Sequence, residues 1–171
     1  GVEVILKVAS LMKEKKKIQF VIFGNGSEED NLKKIVSERH LDNVSMYPLQ
    51  PIERVSEVYS MADVCVISCT PGTGGSGMPS KTWTIMAAGV PIIASFDIPS
   101  EMARTIEEAE CGFCTRAGDE KELSERIMRV YEDSQLKECL GQKARKYAEA
   151  NVSKTKAVAK YLESIEKVFD K

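Results

Sequence analysis

Short apolar runs recur along the chain, and longer stretches of helical periodicity lie between them. The runs are IQFVIF (18–23), VSMY (44–47), VCVIS (64–68), PIIAS (91–95) and GFCT (112–115). Each is short and flanked by turn-forming residues, as strands are. IQFVIF is nearly continuous in apolar residues, the pattern of a strand buried on both faces. Strands alternating with helices define βαβ units, so the fold class is α/β with a mainly parallel sheet and helices on both faces. The predicted helices begin with 2–14, where Val4, Ile5, Val8, Leu11 and Met12 share one face. Ser27 is the predicted cap of a helix to Arg39, with Glu28, Glu29 and Asp30 in its first turn. A third helix follows the Pro48–Pro51 loop and runs to Met61, a fourth is KTWTIMAAG (81–89), and a fifth covers 100–109. Asp119 is placed to cap a helix to Asp133, with Glu122 at the capping-box position. Ser134 opens the next, to Asn151. Ser153 opens the last, with Val158, Tyr161, Leu162, Ile165 and Phe169 on one face.

At 171 residues the chain reads as one domain, 1–171. Its 24 basic and 26 acidic residues leave a net charge of -2, which argues against nucleic acid as the partner. No apolar run approaches the ~20 residues of a membrane span, and the opening GVEVILKVASLMKEKKK has no signal-peptide pattern. Five cysteines are too few for a disulfide scaffold and odd in number, which points to a reducing, cytoplasmic compartment. The chain opens without methionine and with a helix, whereas a sheet of this kind normally opens with a strand. It is expected to be a piece of a longer protein, with one strand upstream of Gly1.

Parallel sheets bind ligands beyond the carboxyl ends of their strands, so the loops after Phe23, Ser68 and Ser95 are the candidates. The first contains Gly24 and Gly26, but Glu28, Glu29 and Asp30 follow and would repel a phosphate. The third glycine of GxGxxG is missing, because position 29 is Glu. Two readings stand: a tight strand-to-helix turn, or the edge of a donor site. The second loop, GTGGSGMPSK (72–81), is rich in glycine and ends at Ser80, a natural helix cap. Between Asp63 and Asp97 there is no Asp or Glu, and Lys81 is the one charge. A cation in the first turn of a helix is mildly unfavourable unless an anion is near. The readings here are an anion site or a flexible connector with a snorkelling lysine. The spacing GxxxxGK of a P-loop is absent. Asp97 and Glu101 follow the fourth strand at the same end of the sheet.

Other features are read as structural. Cys111-Gly-Phe-Cys114 leads into a strand rather than opening a helix, which favours packing over redox chemistry. Cys65 and Cys69 have poor spacing for zinc. His40, the one histidine, sits at a helix end, so no histidine-based nucleophilic triad is available. Trp83 reads as core, with base or sugar stacking as the alternative. The run KEKKK (13–17) is a solvated helix end.

The segment GSGMPSKTWTIMAAGVPIIAS resembles the donor-binding signature of glycosyltransferase family 4, retaining enzymes of the GT-B fold. Pro79-Ser80-Lys81 matches a P-x-K variant of that signature. The likeness continues through FVIFGNGSEEDNLKK, VSMYPLQPIERVSEVYSMADVCVIS and ECGFCTRAGDEKELSERIMRVYEDSQLKECLGQKARKYAEANVS, and so covers nearly the whole chain. It implies a Rossmann-like three-layer domain with C-terminal helices, one half of a GT-B fold. It implies donor-binding residues Gly24, Gly26, Tyr47, Leu49, Gly75, Ser76, Gly77, Met78, Ser80, Lys81 and Thr84, the backbone near Tyr47 and Leu49 facing the base. No catalytic residue is assigned. The family's two glutamates fall on Ser76 and Thr84, neither of which is a carboxylate.

The implied activity is transfer of a sugar from a nucleotide sugar, UDP- before GDP-linked, to an acceptor hydroxyl in polysaccharide or glycolipid synthesis. The diphosphate would lie on the amides of Gly75 to Met78 and the start of the Ser80 helix, with Lys81 neutralising a phosphate and no metal or other cofactor required. The implied partners are the nucleotide sugar, an N-terminal acceptor domain, and an acceptor saccharide or lipid-linked sugar. Peripheral association with the inner face of the membrane would run through that other domain, whose contact would involve the last helix. The isolated domain is expected to be inactive. Two alternatives differ in class: a non-catalytic nucleotide-sugar-binding module that needs a partner, and a dinucleotide-dependent oxidoreductase domain using Gly24 and Gly26.

Overall fold

The computed structural model describes residues 1–152 and 154–169. The strands are β1 (Phe20–Phe23), β2 (Val44–Tyr47), β3 (Cys65–Ser68), β4 (Ile92–Phe96) and β5 (Gly112–Arg116). The helices are α1 (Glu3–Leu11), α2 (Glu29–Glu38), α3 (Val55–Ser60), α4 (Lys81–Ala87), α5 (Glu101–Ala109), α6 (Glu120–Glu132), α7 (Ser134–Asn151) and α8 (Lys154–Phe169). Single 3₁₀ turns cover Ile52–Arg54 and Gly74–Ser76. All pairings are parallel, as the βαβ order requires. They fall into two ladders, β1-β2 and β3-β4-β5.

Side-chain alternation divides the core into two layers. Val66, Ile93 and Phe113 of β3–β5, with Val64 just before β3, face a cluster built on Leu6 and Val8 of α1, Leu32 of α2 and Leu123 and Val130 of α6. Cys65, Ile67, Ile92 and Ala94 face the opposite cluster, built on Ile85 and Met86 of α4, Met102 and Ile106 of α5 and Ala144 of α7. The result is a Rossmann-like, three-layer arrangement with helices on both faces. α7 lies against α4 at a contact of backbones: a Cβ on Gly141 would stand 2.4 Å from the Gly89 carbonyl oxygen.

The helix caps follow their chemistry. Asp119 accepts from the Glu122 amide at 2.9 Å, Asp133 from Leu136 at 2.8 Å and Ser100 from Ala103 at 3.2 Å. Glu122 turns to the Arg116 amide (3.3 Å) rather than closing the capping box on Asp119. Ser134 is the first helical residue, behind Asp133. Ser27 is not a cap: α2 starts after Glu28, whose backbone is already helical and whose side chain makes no cap bond. Ser153 lies outside the described residues. On α1 the buried side runs through Val4, Leu6, Val8, Ala9 and Met12, whereas Leu11 is 59% exposed.

IQFVIF departs furthest from expectation. It is a strand only from Phe20, and Val21 is 40% exposed instead of buried. The cause is topological. Among the described residues β1 pairs with β2 alone, and its other edge opens on a cavity between the two ladders. No helix among the described residues is long and apolar enough to cross a membrane. On α8, Val158, Tyr161, Leu162, Ile165 and Phe169 are 49 to 83% exposed.

Candidate functional site

The loop 69–80 leaves the carboxyl end of β3 and leads into α4. Its backbone is held from below by the acid that begins the loop after β4. The Asp97 carboxylate accepts from the Gly72 amide at 3.0 Å and the Gly74 amide at 2.7 Å. Gly74 lies so close beneath this anchor that a Cβ would meet the Phe96 ring at 2.9 Å. Gly118, after β5, packs on Pro71 from the other side, and its amide donates to the Ser95 hydroxyl at 3.0 Å. The loop is therefore held from two neighbouring strands.

The loop carries no acid in sequence, yet in space it enfolds one, and two of its amides are committed to Asp97. The amides of Gly75 to Met78 lie beyond that anchor. Gly75, Gly77, Ser80, Lys81 and Thr84 are exposed, and Met78 is half-buried. Gly77 holds φ +145°, a conformation that a side chain would strain. The side chain of Ser76 is outside the described part of the structure. Ser80 does precede α4, but in helical conformation and without a side-chain cap bond. Glu101 does not reach the loop; it pairs with Arg104 along α5.

The other candidates come together in part. Gly24 continues the β1–β2 ladder, donating its amide to the Tyr47 carbonyl at 3.0 Å, so that amide is committed to the sheet. Phe23 and Tyr47 stack with ring centroids 5.5 Å apart. Gly26 accepts from Glu29, and the start of α2 is filled by carboxylates, with Glu29 paired to Lys33 at 2.6 Å. That end of the helix repels anions. A cavity of about 810 Å³ is lined at its carboxyl-end mouth by Phe23, Leu49, Ser68 and Lys81. It brings Leu49 and Lys81 to one space but does not include Gly24, Gly26, Tyr47 or Thr84.

Cys65, Cys69, Cys111 and Cys114 pack in or against the core layer of α4, α5 and α7. Burial pushes Cys65 and Cys111 up to about 12 and Cys114 up to about 11, so none offers a thiolate near neutral pH. Among the described residues no three His, Cys, Asp or Glu cluster so as to hold a metal. His40 closes α2 in the left-handed conformation (φ +50°), and Trp83 packs on the α4 core cluster. The anchoring by Asp97 and by Ser95 with Gly118 had no local signal in the sequence, since each contact joins residues 23 to 25 positions apart.

Parallel α/β sheets bind ligands beyond the carboxyl ends of their strands, the end of the sheet where the glycine-rich loop lies and leads to Lys81. The chain matches the family model "Glycosyl transferases group 1" over residues 1–147, and it belongs to that family. It is 29% identical over 132 residues to the probable glycosyltransferase WbjE of Pseudomonas aeruginosa, covering 77% of this chain and 33% of that protein. It is 25% identical over 107 residues to the putative colanic acid biosynthesis glycosyl transferase WcaI of Escherichia coli, covering 63% of this chain and 26% of the relative. The chain thus spans about a third or less of these two relatives. In fold it is similar to Anabaena Alr3699/HepE, solved with UDP-glucose, at a TM-score of 0.81, 16% identity, 98% coverage of this chain and 45% of that one. It is similar as well to S. aureus TarM, solved with UDP among its ligands, at 0.79, 20%, 95% and 32%.

Proposed function

We propose that this chain is the donor-binding domain of a retaining glycosyltransferase, taking a nucleotide sugar, UDP- in preference to GDP-linked. One observation carries the reading: the loop 69–80 is anchored through Asp97 while its exposed part, Gly75 to Met78, runs into Lys81. The diphosphate lies on the amides of Gly75, Ser76, Gly77 and Met78, beside Ser80, with the Lys81 ammonium on a phosphate. When the glycosidic bond breaks, negative charge grows on the leaving nucleotide diphosphate. Fixed amides and a cation at that point stabilise the transition state more than the bound donor. Positive charge comes from the chain itself, without a metal or cofactor. Thr84, one turn along α4 from Lys81, faces the ribose hydroxyls, and Leu49 at the cavity mouth faces the base. The Gly24–Gly26 turn contributes shape rather than charge.

The acceptor is a saccharide or lipid-linked sugar in polysaccharide or glycolipid synthesis, and it approaches from a second, N-terminal domain. That domain packs partly on the apolar stripe of α8 and makes any contact with the inner face of the membrane. Without it the chain binds donor but does not transfer sugar. UDP is favoured because both solved proteins named above hold it.

The test is calorimetry with UDP, GDP, ADP and NADH. UDP binding that weakens about tenfold, or 1.4 kcal/mol, in Lys81→Ala supports the reading. Thr84→Ala should weaken it less, since a neutral hydrogen bond is about half as strong as a charge-assisted one. Binding of NADH alone would overturn it in favour of the oxidoreductase alternative. A second reading rests on Ser76 and Thr84 standing where the family resemblance places glutamates: a module that binds donor and leaves catalysis to a partner. Donor binding without turnover in the longer, two-domain protein would favour that reading.

A further inference from the structure

We infer that the open edge of β5 and the flank of α6 beside it form a docking surface for a second copy of this chain, paired about a two-fold axis. Among the described residues β5 pairs with β4 alone. The Cys111 carbonyl accepts from the Ile92 amide, which opens the ladder to β4. By alternation Phe113 and Thr115 turn their backbone groups to β4, and Gly112 and Cys114 turn theirs outward. The Arg116 amide is taken by the Glu122 carboxylate at 3.3 Å, so the usable edge is centred on Cys114. Exposed edges are normally covered, because they otherwise template association.

The flank of α6 decides what covers this one. Glu122 reaches the Arg116 amide, and Arg126 and Arg129 lie over the Phe113 ring at 5.3 and 5.1 Å. α6 therefore runs antiparallel to β5, with these three side chains on its edge side. Glu125 is exposed beside Arg126. Glu125 and Arg129 make no ion pair among the described residues. Arg126 lies 3.6 Å from Glu122, and its Nε is buried without a hydrogen-bond partner among the described residues. Along the flank the order is acid, acid, base, base, which is complementary to itself when reversed. An antiparallel α6 of a second copy brings Glu122 to Arg129 and Glu125 to Arg126, each pairing made twice. That reciprocity is what a two-fold interface requires. A partner of one charge sign would set like charge against half of the stripe.

Strand and helix place the axis at one level. The centre of the stripe, between Glu125 and Arg126, lies ~5 Å along the helix from Glu122 at 1.5 Å per residue. The same distance back along β5 from Arg116, at ~3.3 Å per residue, ends at Cys114. One axis thus passes through both, and the two Cys114 residues exchange a pair of backbone hydrogen bonds across it. The spacing agrees. α6 packs on β4 and β5. With strands ~4.8 Å apart, helices seated over the β4–β5 gap come ~10 Å from each other across the axis, a normal helix-packing distance. On the other face Arg104 of α5 is already held by Glu101 and Glu108 of its own helix, so the complementarity lies on the α6 side.

Sedimentation of the 171-residue chain over a concentration series tests this, with amide exchange read at Cys114. The expected result is a monomer–dimer equilibrium in which the Cys114 amide slows as dimer forms. Glu125→Arg and Arg126→Glu each set like charges across the axis, and each weakens dimerisation at least ~tenfold. An equimolar mixture of the two variants restores it, because one copy then offers two bases where the other offers two acids. Thermal melting checks that each variant folds. Arg126→Glu also removes a cation from the Phe113 ring; if it melts early, Glu125→Arg and the Cys114 amide decide the matter. A chain that stays monomeric throughout the series overturns the inference. A dimer indifferent to Glu125→Arg overturns it too, by placing the contact elsewhere, as on the exposed stripe of α8. Folded variants that remain monomeric when mixed reject the pairing, and so does a Cys114 amide that exchanges alike in monomer and dimer. None of these residues belongs to the 69–80 loop or to α4, so no outcome depends on donor binding.

Discussion

Asp97 shows how one side chain can set the conformation of a distant loop. Its two oxygens serve the amides of Gly72 and Gly74, and the second of these is buried against Phe96. Asp97→Ala strips both donors of their acceptor and should destabilise the protein by about 1–3 kcal/mol. Asp97→Asn keeps one acceptor oxygen and should lose less. Thermal denaturation gives the energies, and faster exchange of the Gly72 and Gly74 amides locates them in the loop. A loss of stability with those two amides unchanged would remove Asp97 from its anchoring role. The sequence named Asp97 as an acid at the right end of the sheet. Nothing in the spacing showed that it would turn back into the loop, because the contact is made by a fold that crosses from β3 through α4 to β4.

The elements were legible because each is encoded locally. Periods of two and 3.6 placed the strands and helices to within a residue or two at most boundaries. Asp119 and Ser100 stand where capping chemistry puts them. Pairing order was not legible, since which strand neighbours which is decided by packing across the whole sheet. That is why IQFVIF read as doubly buried and turned out to line an open slot. The crossing of α7 on α4 is likewise absent from any local pattern. Gly141 reads as an unfavourable residue inside a helix, worth about 1 kcal/mol against alanine. In the fold it lets α7 approach the Gly89 carbonyl. Gly141→Ala should therefore destabilise rather than gain helix propensity, by about 1–3 kcal/mol, because the Cβ has backbone in its place. Urea denaturation checks the sign. An increase in stability would show that α7 shifts freely on α4.

At the scale of the molecule, both core layers lean on the same three-stranded ladder, so a perturbation there is felt by the whole fold. Cys111, the residue before β5, is completely buried in the layer shared by α4, α5 and α7. Burial pushes its thiol up to about 12, against about 8.5 in an unfolded chain. Between those values the unfolded state releases a proton that the native state keeps. The native state then binds more protons, so stability falls as pH rises, by up to about 1.4 kcal/mol per pH unit for this group. Below about pH 8 the contribution is flat. Cys65, pushed up to about 12 on the same ladder, acts in the same direction. Urea denaturation at pH 7.5 and pH 10 should show a clear alkaline loss, and Cys111→Ala should reduce that loss by about 1–2 kcal/mol, whatever its effect at pH 7.5. Taking the difference between the two pH values cancels the cavity left by the smaller side chain, which does not titrate. The deprotonation of surface lysines cancels as well, being common to both proteins. An unchanged alkaline loss in Cys111→Ala would mean that the thiol ionises alike in both states, and that β5 opens to water well before the molecule unfolds.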